Sequence, residues 1–134
     1  MSCTPVRQRI RCEIPEGASA DGSALLKDQA GNPITQVMID SLVGTLFDEK
    51  SGDILNGRDH VDVFTAFDGE VSGSGELTLK LTGADNAIVD DTRDVEMHVL
   101  LLEWTWTDPD AVTRDGKAEI AFLVRNLAKV PEAT

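Results

Sequence analysis

DVEMHVLLLEWTWT (residues 94–107) and KAEIAFLVRNLAKV (residues 117–130) flank the turn-rich segment DPDAVTRDG (108–116). Two long apolar runs rich in β-branched and aromatic residues, separated by a proline, a glycine and three aspartates, read as neighbouring antiparallel strands. The first run is apolar on both sides. Val95, Met97, Val99 and Leu101 share one parity, and Leu100, Leu102, Trp104 and Trp106 share the other. A half-buried strand alternates cleanly, so apolar residues on both faces imply central burial or a second surface that meets something. The second run mixes its faces too, with Ala118, Ile120, Phe122 and Val124 set against Ala121, Leu123 and Leu127. This pair is the expected core hairpin.

Outward from it, the other segments also read as strands. Thr4–Ile14 alternates Val6, Ile10, Cys12 and Ile14 with Arg7, Arg9, Arg11 and Glu13, which predicts a half-buried first strand with a basic stripe outward. PEGASADGSA (15–24) reads as a turn-rich link, and Asp28, Gly31, Asn32 and Pro33 as a tight turn. In residues 36–57, Val37, Ile39 and Val43 share a parity opposite to Leu42 and Leu46, which suggests a bulge near Gly44. A helix over Val37–Phe47 is the rival reading, opposed by β-branched content and Gly44. Asp48–Gly52 turns the chain back through Ile54 and Leu55, and Asn56-Gly57 turns it again. HVDVFTAF (60–67) alternates through Val61, Val63 and Phe67, DGEVSGSGE (68–76) reads as a loop, and GELTLKLTG (75–83) alternates Leu77, Leu79 and Leu81 with Thr78, Lys80 and Thr82. ADNAIVDDTRD (84–94) is an acidic crossover with room for one helical turn. About seven strands at roughly ten-residue spacing predict an all-β, immunoglobulin-like β-sandwich of antiparallel strands. Residues 1–134 form a single domain, with 1–14 as its basic first strand or arm.

The net charge is −12. Arg7, Arg9 and Arg11 against Glu13 make the first fourteen residues +2, which leaves −14 on the rest. Such a body repels phosphate and anionic lipid, so no nucleic acid and no membrane is expected as a partner. Cys3 and Cys12 on one extended segment stand roughly 30 Å apart and cannot bridge, so reduced thiols and assembly in a cytoplasm are expected. The start MSCTPVRQR lacks a signal-peptide core.

Four motifs recur in order. They are Asp28/Gly31/Ile34; Thr45-Leu46-Phe47-Asp48 with Ser51-Gly52 and Asn56-Gly57; Gly75/Leu77/Leu81/Asp85; and Val124/Asn126/Leu127/Val130. In this combination the chain after residue 24 resembles a family of short proteins encoded among the virion structural genes of tailed bacteriophages. More loosely, it is similar to the immunoglobulin-like amino-terminal domain of phage baseplate upper proteins. Phe47 stands where that family often has tyrosine, and the basic arm is not part of its pattern. The resemblance implies a virion component made in the host bacterial cytoplasm, in multiple copies or as a homo-oligomer. Its partners would be capsid, portal, neck or tail subunits.

No catalytic constellation stands out, and the expectation is a protein without enzymatic activity, cofactor or metal. His60 and His98 are the only histidines, and a triad needs a serine and a carboxylate placed on one of them. Asp85, Asp90, Asp91 and Asp94 crowd one loop, as calcium favours, but their spacing fits no EF-hand, and capping and solvation of the loop is the preferred reading. Gly73-Ser74-Gly75 precedes a strand, which suits a flexible connection rather than a phosphate cradle. Trp104 and Trp106 share a face, open to three readings: core packing, a protein interface, or a sugar platform. The Arg7/Arg9/Arg11 stripe is either a solvated edge or a set of carboxylate-pairing forks. The expected contacts to neighbouring subunits are therefore Arg7, Arg9, Arg11, Leu100, Leu102, Trp104 and Trp106, at the capsid surface or the head-to-tail neck. The alternatives are a host-adhesion module that binds glycan through the tryptophans, or a tail or baseplate component.

Overall fold

The structure, a computed structural model, describes residues 7–9, 13–28 and 30–127, with residues 7–9 as backbone. The strands are β1 (Arg7–Arg9), β2 (Ile14–Pro15), β3 (Ala20–Leu25), β4 (Ile39–Asp48), β5 (Val61–Asp62), β6 (Glu70–Val71), β7 (Glu76–Leu81), β8 (Val95–Thr107) and β9 (Thr113–Arg125). One helical turn, α1 (Val63–Ala66), and two 3-10 turns at Gln36–Met38 and Gly83–Asn86 complete the described elements. The large sheet runs β1-β9-β8-β4-β5, with β2 also on β9, and the small one runs β3-β7-β6. Residues of both sheets share one core, so the all-β, two-sheet sandwich expected from the sequence is the fold.

The β8–β9 hairpin is its spine, in unbroken register from Thr107–Thr113 to Val95–Arg125. Asp108 makes the turn: its Oδ1 accepts from the backbone N–H of Asp110 and Val112, and Arg114 Nε donates to its Oδ2 at 2.6 Å. Inward from the large sheet point Leu42, Leu46, Leu100, Leu102, Trp104, Trp106, Ile120 and Phe122, which meet Leu77, Leu79 and Leu81 of β7. Burying each such side chain is worth about 1.5–3 kcal/mol, so β7 alone fixes the small sheet firmly to the large one.

The structure departs from the sequence reading in several places. β3 occupies residues taken as a link, because its inward positions are Gly22 and Ala24 and carry no visible apolar period. A Cβ at Gly22 would stand 3.1 Å from Cδ1 of Leu79, its cross-strand partner on β7, and 3.7 Å from Ile120 Cδ1 of the large sheet, so the small residue leaves room for both side chains. Gly44 likewise sits inward in line with Leu42 and Leu46, close under Val63 and Leu100, and the register irregularity lies at Ile39–Ser41 instead. Val37 is 95% exposed on a 3-10 turn ahead of the strand. Val63 and Phe67 both point inward, but as i and i+4 of a helical turn capped by Asp62, not as strand residues. Glu70–Val71, read as loop, forms a short strand on β7. The basic segment pairs as two stubs, and both run parallel to β9 rather than antiparallel. Four strands of two or three residues bring the count among the described residues to nine.

Candidate functional site

Leu100 and Leu102 are 0% exposed, and Trp104 and Trp106 are 5% exposed, all four within the core. They are therefore corrected from partner contacts to core packing. The even-numbered side chains of β8 face the small sheet, and a central strand must fill that side. Trp104 fits because Gly116, its register partner on β9, leaves room for the indole. Both tryptophans line an open hollow of about 630 Å³ beneath Lys27, Asp28, Asp108 and Arg114. With so little indole surface offered, the hollow lacks a stacking platform for a sugar ring.

A second group of apolar side chains lies on the opposite parity. Register places Phe47, Val99 and Ala121 in one row across β4, β8 and β9, with Met97 and Leu123 paired on one side and Leu101 on the other. Val99 and Ala121 are buried, and Phe47, Met97, Leu101 and Leu123 are half-buried. None of the six belongs to the core between the sheets. A polar border follows, where Glu103 lies 3.5 Å from Lys117 Nζ and 3.3 Å from His60 Nε2.

At the rim of the same sheet, β1 places Arg7 opposite Glu119 and Arg9 opposite Ala121. Arg11, Cys3, Cys12, Val6, Ile10 and Val130 lie outside the described residues. The root of the arm is clamped: Arg125 Nη2 donates to Glu13 Oε1 at 2.9 Å, and the Leu127 N–H donates to Glu16 Oε1 at 3.0 Å. The Arg125 hydrogen bonds hold the Glu13 carboxyl below its ordinary range.

The acidic crossover divides by role. Asp85 is buried and accepts from Asn56 Nδ2 at 2.8 Å, Arg58 Nε at 2.9 Å and the Thr82 N–H at 2.7 Å, with Arg58 lying 4.9 Å over the Phe67 ring. Burial pushes Asp85 up, but these donors outweigh it and its pKa is lowered. Asp90 accepts from Thr92 and so caps its own loop. Asn126, deep in the last motif, donates through Nδ2 to the carbonyls of Asp91 and Arg93 and holds that loop down.

A second ionic cluster is buried as well. Arg93 Nη2 reaches Asp48 Oδ2 at 3.0 Å and Glu96 Oε2 at 2.9 Å. His98 Nε2 stands 2.8 Å from Glu96 Oε1, and the His98 ring meets Phe122 edge-on. Asp48, Glu96 and His98 are at most 1% exposed, and their donor atoms lie within 4.8 Å of one another. Burial pushes Asp48 up, yet hydrogen bonds from Arg93 and Ser51 carry it below its ordinary value. His60, in contrast, is exposed beside Asp59.

No known protein family, curated protein or solved structure matches this chain. The Asp48–Arg93–Glu96–His98 cluster went unread in the sequence, although one signal was there. Glu96 and His98 occupy the parity that Leu100 to Trp106 make the inward one, and polar residues at inward strand positions demand partners.

Proposed function

We propose that this chain is a non-enzymatic structural protein of a tailed-phage virion, held by neighbouring subunits at the capsid surface or head-to-tail neck. The motif order read above supports the virion assignment. One observation of the structure supports attachment: Phe47, Met97, Leu101 and Leu123, half-buried around the fully buried Val99 and Ala121, lie outside the core between the sheets and are bordered by charge. An apolar centre inside a polar rim is the anatomy of a protein interface. The arm adds a second attachment, since strand addition at a sheet edge with arginines beside it suits an acidic neighbour.

Leu101→Lys combined with Leu123→Lys, which avoids a like charge opposite Glu119, should abolish incorporation into the particle while circular dichroism still shows a folded β protein. Normal incorporation of that variant refutes the attachment face. Alanine at Arg7, Arg9 and Arg11 should weaken incorporation without touching the fold. The glycan reading is not favoured, because the indoles it relied on are covered. Tryptophan emission should show no saturable shift with host polysaccharide.

A further inference from the structure

We propose that Asp48, Glu96 and His98 form a buried site for one divalent transition-metal ion, with zinc the closest match. Arg93 holds the outer carboxylate oxygens, Asp48 Oδ2 and Glu96 Oε2. The inner oxygens, Asp48 Oδ1 and Glu96 Oε1, turn to His98 Nε2 at 3.9 and 2.8 Å. Tetrahedral zinc ligands at the usual bond lengths stand about 3.4 Å apart; the two spacings to His98 Nε2 bracket that figure, and all three donor atoms lie within 4.8 Å of one another. Arg93 then acts from behind the carboxylates, as outer partners of metal ligands do, together with the Val89 and Asp90 N–H groups on Glu96 and Ser51 on Asp48.

Two further observations point to a cation. Asp48 Oδ1 belongs to a side chain with no exposed surface, yet the donors facing it, Arg93 Nη1 and His98 Nε2, stand 3.4 and 3.9 Å away. A buried carboxylate ordinarily draws charged donors to under about 3 Å. The charges also leave a deficit: Asp48 and Glu96, both buried, share the single Arg93 guanidinium, so one buried negative charge is left in excess of it. A ring nitrogen among the ligands selects a transition metal over calcium or magnesium, which take oxygen. His98 Nδ1 is buried without an acceptor, and a missing outer partner costs about 10–100-fold in affinity, so zinc binds here more weakly than at a site with a complete outer set.

The test is calorimetric titration of chelator-treated full-length protein with zinc, alongside cobalt absorption and the imidazole NMR signals. One equivalent should bind, the thermal midpoint should rise, and the His98 rather than the His60 resonances should shift. His60→Ala should bind unchanged, and Glu96→Gln should lose binding at least tenfold. Should Glu96→Gln fail to fold, the His98 resonance of the unmodified protein decides alone. Absence of saturable uptake at zinc concentrations up to about 100 µM, well beyond the loss that one missing outer partner explains, overturns the proposal. So does uptake that disappears in His60→Ala or leaves the His98 signals unmoved.

Discussion

Gly116→Ala tests how the hairpin accommodates its tryptophan. Gly116 lies opposite Trp104 in the β8–β9 register, and an added Cβ would fall inside the van der Waals surface of the indole at Cε2, Nε1 and Cζ2. Trp104 is 5% exposed and part of the shared core, so the ring cannot swing clear without disturbing neighbours. Overpacking of this kind costs about 1–3 kcal/mol. Alanine recovers roughly 0.4–1 kcal/mol by narrowing the unfolded ensemble, since the φ of Gly116 is not positive. The steric term dominates at so tight a contact, and the expected net loss is about 2 kcal/mol. For a domain of this size that lowers the thermal midpoint by about 6–10 °C. The assay is thermal and urea unfolding followed by tryptophan emission. A Trp104→Phe background should relieve part of the loss, as a coupled pair requires. Gly73→Ala, where nothing lies within 4 Å, serves as the neutral control. An unchanged midpoint in Gly116→Ala, or equal losses with and without the Trp104→Phe substitution, refutes the packing argument.

Asp48 and Asp85 both titrate below their ordinary values in the folded protein, so their stabilisation is complete above the unfolded carboxylate pKa of about 3.9 and is lost as pH falls through the folded values. The unfolding midpoint should therefore drop steeply below about pH 4. Asp85→Asn should cost about 3 kcal/mol at pH 7 by stranding Arg58, and its acid limb should be shallower; an equally steep limb counts against Asp85 as a contributor. Leu102→Ala, at a fully buried position, should lower stability by about 2–5 kcal/mol in urea titration, while Val37→Asp, on an exposed turn, should stay within about 0.5 kcal/mol.

Side-chain period and turn chemistry made the β8–β9 hairpin and β7 legible from residue types alone, because each is long enough for alternation to repeat. The same signal passed over β3, whose inward residues are glycine and alanine, and the short β6, while over Thr4–Ile14 and His60–Phe67 it foresaw longer strands than the short β1, β2 and β5 found there. It also showed β8 to be apolar on both faces without saying which face was core. Only the placement of the small sheet over Leu100, Leu102, Trp104 and Trp106 decided that, and left Met97 and Leu101 half-exposed on the other face. The Asp48–Arg93–Glu96–His98 cluster was decided by tertiary structure as well, since it joins β4, β8 and the loop between β7 and β8. Periodicity is a property of one strand, whereas the inward direction and the meeting of distant charges depend on what packs against it.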